Sequence, residues 1–215
     1  MYVPAPPAQP APALAAAGFS SSKLSLSAPI AADALSGLSV SRTNLNVLDG
    51  QPATVAGALR PGLAGRMVTL QAFGRYGWGT LARALTGTGG RFRLRYVARH
   101  AGSRPVRLRF GGDTFHLASS RGLGRLNVYR AVEASWYGGG GGGLACGGSL
   151  TGATMGVANR TLPCGTLVTL RYNMRTVRVP VIDRGPYVGS REFDLTEATK
   201  QALGFGDTGV VWSIS

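Results

Sequence analysis

The chain holds only two cysteines, only 9 acidic residues in 215, and no CxxC pair. It also has no apolar run approaching the roughly 20 residues that a membrane-spanning helix needs, so no transmembrane segment is expected. Cys146 and Cys164 lie 18 positions apart in a Gly-rich stretch with no neighbouring His, which argues against a zinc site. They read as a disulfide, and so as a chain of an oxidising compartment, with two free buried thiols as the alternative. No metal or organic cofactor is implied. The opening stretch MYVPAPPAQPAPALAAAGF lacks the basic residues of a signal peptide and is interrupted by Pro, so no export signal is legible in it.

What the chain does hold is positive charge, 23 Lys and Arg, distributed unevenly. Residues 1 to 131 contain 16 of these basic groups against Asp33, Asp49 and Asp113, a surplus of 13; residues 132 to 215 carry a surplus of only 1. With 33 Gly and 12 Pro, turns are frequent and long helices are not expected. The class that follows is mainly β.

Three segments are expected: a disordered Pro/Ala linker over 1–36, a strongly basic β-sandwich of Ig-like type over 37–130, and a compact β module over 131–215. Within the second segment LNVLDGQPATVAGAL, RMVTLQAF, GTLARALT, GRFRLRYVAR and RPVRLRF alternate apolar and polar residues between turn signals. If RFRLRYV and VRLRF pair through HAGSRP, then Arg91, Arg93, Arg95, Arg107 and Arg109 share one face. Such a face suits an anionic wall polymer, or is a solvated edge guard. Nucleic acid is not expected, because no aromatic residue is interleaved with these arginines and no nucleic-acid motif is present.

The third segment contains VEASWYGG, a Gly run, MGVANRTLPCG, the strand pair TLVTLRY and RTVRVPVID joined by YNMR, the helix TEATKQAL and the strand GVVWSIS. Asn173 suits the positive φ of the YNMR turn, and Thr196 and Gly204 suit the two ends of the helix. In RVPVIDRGPY a carboxylate, Asp183, stands where an apolar strand ends. By local rules alone it caps the following turn.

ASWYG, GVANRTLPCGTLVTL, VPVIDRGPY and REFDLTEATKQALGF, in that order, resemble the double-psi β-barrel of rare lipoprotein A, which is related to the barrels of expansins and barwin-like proteins. The two-Cys form looks like the actinobacterial branch, in which an Ig-like domain often precedes the barrel. The resemblance covers about 133 to 215 and implies a six-stranded barrel that acts on peptidoglycan glycan strands as a lytic transglycosylase. Asp183 matches the family's catalytic Asp in DRGP. Asn159, Arg184, Tyr187, Tyr137 and Asp194 are the expected substrate-binding residues, Asp194 also being placed to cap the helix or to bond the Asp183 loop.

Two departures stand beside this. The family's His falls on Asn159, and its acidic residue falls near Gly148 or Ser149. A glycan-binding, non-catalytic barrel of expansin type is therefore the alternative, and a barwin-like inhibitor a third reading. The protein is expected to be a monomer, secreted or associated with the cell wall.

Overall fold

The computed structural model describes residues 36–215, so the expected linker lies outside the described residues except for Ser36. The first eight strands are β1 (Gly37–Asn44), β2 (Asn46–Leu48), β3 (Pro52–Arg60), β4 (Met67–Gly74), β5 (Gly77–Leu85), β6 (Arg91–Val97), β7 (Gly102–Phe110) and β8 (Ser119–Tyr137). After these come β9 (Val157–Ala158), β10 (Leu167–Tyr172), β11 (Arg175–Asp183), β12 (Phe193–Thr196), the helix α1 (Glu197–Leu203) and β13 (Thr208–Ile214).

Strands β1, β3 and β6 form one sheet, and β5, β4, β7 and the first half of β8 form another, with β2 beside β8. The inward residues alternate as a pleat requires: Val55 and Leu59 on β3, Phe92 and Leu94 on β6, Val68 and Leu70 on β4, Val106 and Leu108 on β7. All of them meet in a single core between the sheets. Each such side chain removed from water contributes about 1.5–3 kcal/mol before the entropy of ordering is charged against it.

The expected partnership of β6 and β7 is not made. β6 pairs only with β3, whereas β7 pairs with β4 and β8 in the opposite sheet. Arg91, Arg93 and Arg95 therefore face solvent from one side of the sandwich and Arg107 and Arg109 from the other. Alternation shows which side chains point inward, but both sheets offer their apolar residues to the same core, so the pattern is silent on which sheet a strand joins.

Strand β8 is 19 residues long and belongs to both halves of the molecule. Its first part pairs with β7, and from Arg130 it pairs with β13 and then β12. The ring β8, β12, β9, β11, β10, β13 closes on itself, with parallel pairings at β12–β8 and β11–β9. This six-stranded barrel has a second core, built on Val157, Val168, Leu170, Val179, Val181, Phe193, Leu195 and Val211.

Local chemistry explains the connections. The β10–β11 turn holds Asn173 at φ 44° and Met174 at φ 71°, the double positive φ of a tight hairpin turn. Helix α1 is capped by the Thr196 hydroxyl, which accepts from the Thr199 N–H, and it ends at Gly204, left-handed at φ 64°. Trp212 on β13 is only partly buried. It points away from the barrel interior and meets Tyr129 at 5.8 Å between ring centroids.

Candidate active site

The register of the barrel strands places Asp183, Ala158, Asp194 and Ser135 in one row across β11, β9, β12 and β8. With neighbouring strands about 4.8 Å apart, the backbones of Asp183 and Asp194 are separated by about 10 Å.

Oδ1 of Asp183 accepts the N–H of Ala145 at 2.9 Å and the N–H of Arg184 at 2.8 Å. Oδ2 makes no hydrogen bond of standard geometry with the described residues. Ala145 reaches this position because its neighbour Cys146 is fixed twice, by a disulfide to Cys164 and by its N–H donating to the Ile182 carbonyl at 3.2 Å. One carboxylate oxygen is thus anchored by two backbone donors, and the Tyr137 hydroxyl lies close to the carboxylate.

Tyr137 ends β8. Its hydroxyl is buried near the carboxylates of Asp183 and Asp194 and makes no hydrogen bond of standard geometry. Burial first, and then the negative charge of those two carboxylates, pushes this phenol well above its ordinary 10.0. At neutral pH it is a protonated phenol that can donate its proton to a carboxylate and does not act as an anion. Asp194 accepts from the Ser135 hydroxyl, which in turn accepts from Arg191 at 3.2 Å. Capping of α1 falls to Thr196, so Asp194 is not the helix cap.

Two expected sugar contacts have other partners. Asn159 is only 4% exposed. Its Oδ1 accepts the N–H groups of Thr161 and Leu162 at 3.0 and 2.8 Å, and its Nδ2 donates to the Glu192 carbonyl at 3.0 Å. It clamps the loop rather than facing a groove. The Arg184 guanidinium turns away from the Asp183 carboxylate and donates to the carbonyls of Asn159 and Leu162 at 3.1 and 3.0 Å and to the Cys164 sulfur at 3.1 Å. Tyr187, by contrast, is 76% exposed beyond the turn and free to form a wall. Trp136 is held by its own contacts, its indole N–H donating to Asp207 and Lys200 lying 3.7 Å over its ring.

Residues 129–212 match the family described as lytic transglycolase. The protein named probable endolytic peptidoglycan transglycosylase RlpA from Aquifex aeolicus is 43% identical over 94 residues, covering 42% of this chain and 42% of its own length. The protein of the same name from Synechocystis is 41% identical over 101 residues, covering 41% of this chain and 32% of its own. Residues 129–212 form a rare lipoprotein A-like double-psi β-barrel. The chain thus spans less than half the length of these relatives. Streptomyces papain inhibitor (SPI), a solved structure, aligns at 26% identity with a TM-score of 0.33, covering 40% of this chain and 94% of its own.

In this rare lipoprotein A-like barrel, the position given to an acidic residue by the resemblance lies in the loop beside Asp183. Gly148 has φ 83°, where a Glu would be strained, and Ser149 bridges Gly143. Among the described residues, no three His, Cys, Asp or Glu side chains are grouped so as to hold a metal ion, and no helix is long and apolar enough to cross a membrane. Two participants were not legible beforehand. The Ala145 N–H is a backbone donor with no side-chain signature, and Ser135 became a partner of Asp194 only through the parallel pairing of β12 with β8.

Proposed function

We propose that the barrel cleaves peptidoglycan glycan strands by lytic transglycosylation, with Asp183 as the acid and then the base. One observation carries this reading: the Asp183 carboxylate is fixed through Oδ1 by two backbone N–H groups while Oδ2 takes no backbone donor. A protonated Oδ2 gives its proton to the glycosidic oxygen as the bond from that oxygen to the anomeric carbon breaks. The carboxylate then takes the proton of the sugar's own 6-hydroxyl, whose oxygen bonds to the anomeric carbon and closes a 1,6-anhydro ring. The proton lost in the first half returns in the second, and no water is consumed, so a single carboxyl group suffices.

Tyr137 and the Asp194–Ser135 pair border the same row of strands and position the reacting sugar, and Tyr187 forms the outer wall. The arrangement needs a solvent-facing groove on an exported protein. The disulfide and the surplus of positive charge in the sandwich suit a cell-wall location, where anionic polymers are attracted by a field that salt screens.

A second reading, binding without cleavage, is favoured by a specific observation: where the resemblance places a His, Asn159 is buried as a loop clamp with no proton to transfer. Digestion of purified peptidoglycan followed by mass spectrometry separates the two. Anhydro-muropeptides released by the native chain and not by Asp183→Asn support the enzyme. Co-sedimentation with insoluble wall and no such product from either protein supports the binder.

A further inference from the structure

The outward face of β4, β5 and β7 holds a group of side chains that the barrel chemistry does not use. Phe73 and Trp78 stand directly opposite each other across β4 and β5, edge to face with centroids 5.4 Å apart, and are 47% and 38% exposed. Tyr76, at the tip of the same hairpin, is 94% exposed, with the Arg75 guanidinium 5.7 Å from its ring. The Arg107 guanidinium lies 4.1 Å over the Trp78 ring, and its Nε donates to the Gln71 side chain at 2.9 Å.

Arg107 is thereby held in place without being neutralised. Strands β4, β5 and β7 and the β4–β5 turn contain no Asp or Glu, and Arg75, Arg83, Arg107 and Arg109 form no ion pair with the described residues. Gln71 also borders a depression of about 440 Å³, together with Thr69 and Arg109 and, on the far side, Asp113, whose carboxylate is paired with Arg66; its size is within the ~300–1,000 Å³ typical of small-ligand sites.

We infer that this face binds an anionic glycan, a strand whose sugar rings stack on Trp78 and Phe73 while its carboxylates meet Arg107 and Arg109. Charge alone would be served as well by Arg91, Arg93 and Arg95. Those arginines, however, stand beside Ala58, Ala56 and Thr54 on the opposite sheet, with no ring among these partners. Aromatic rings present flat apolar surface to the C–H face of a sugar, and a guanidinium pairs with a carboxylate through two parallel N–H groups. Of these two arginine-bearing faces, the β4–β5–β7 face combines the two. The inference deepens the wall-glycan reading and rests on it for the choice of polymer.

The test uses the full chain and pure polymers. Polygalacturonate, a glycan of carboxylated sugars, is the probe; poly-L-glutamate is the polyanion without rings, and phosphatidylglycerol vesicles are the anionic membrane. Affinity for polygalacturonate is expected to fall about tenfold in Trp78→Ala and in Arg107→Gln, to survive in Trp78→Tyr, which keeps a ring, and to change less than about twofold in Arg93→Gln. Binding to poly-L-glutamate as tight as to the glycan and indifferent to Trp78→Ala would reduce the face to plain charge and overturn the inference. So would vesicle binding lost in the same variants, or an Arg93→Gln defect as large as that of Arg107→Gln. Asp183→Asn is expected to retain full polymer binding, so loss of anhydro-muropeptide release and loss of polymer retention report on separate readings.

Discussion

The barrel and the sandwich each immobilise a charged group, and they do so by different means. In the barrel, Asp183 is negative and is fixed by backbone N–H groups of Ala145 and Arg184, donors whose positions depend on the whole loop. In the sandwich, Arg107 is positive and is fixed by two side chains, the Trp78 ring and the Gln71 amide, both on strands of the same sheet. The first arrangement depends on loop closure, the second on strand register. A disturbance of the Gly-rich loop should therefore reach Asp183 and leave Arg107 untouched.

The largest separation is expected from Asp183→Asn, which should lower anhydro-muropeptide release by ~10²–10⁴ while polygalacturonate retention stays at the native level. Reduction of Cys146–Cys164 comes next. It should cost the barrel about 2–5 kcal/mol in chemical denaturation and, by freeing Ala145, slow glycan cleavage without altering retention. Equal loss of both activities on reduction would break the distinction.

Asn159→Ala should follow, at about 1–3 kcal/mol, because the Thr161 and Leu162 N–H groups lose their acceptor inside the loop. Unchanged stability with weaker substrate affinity would instead restore Asn159 to the groove. The smallest effect belongs to Tyr137. A phenol raised in the folded state keeps its proton where the unfolded chain loses it, so its contribution is full below 10.0 and is lost as pH climbs above that value. Tyr137→Phe should flatten the alkaline decline of stability. The flattening should be partial, since burial also raises Tyr129, at the join between sandwich and barrel. Chemical denaturation of the native chain and of Tyr137→Phe across alkaline pH measures the difference.

What could be read in the residues was what local chemistry specifies. Thr196 and Gly204 bracketed the helix, Asn173 marked a turn that needs positive φ, and Asp183 stood out because a carboxylate is costly at the end of an apolar strand. What could not be read depended on chain segments meeting from afar. The five arginines were grouped on the supposition that consecutive strands pair, and the chain instead crosses to the other sheet between β6 and β7. Asn159 had the composition of a sugar ligand, but its amide is taken up by neighbours brought in through Glu192 and the Thr161–Leu162 turn. The stack of Arg107 on Trp78 joins β7 to β5 across β4, a contact invisible until the order of strands is known.

Strand β8 carries the chain from the sandwich sheet into the barrel, with one bulge opposite Arg107 where Gly124 has φ 83°. If the proposed polymer face and the proposed Asp183 site act on one strand, β8 sets the offset between them. Fragments produced that way should cluster in length instead of spreading smoothly, and a shift in that length on inserting two residues into β8 would show the strand acting as a measuring stick.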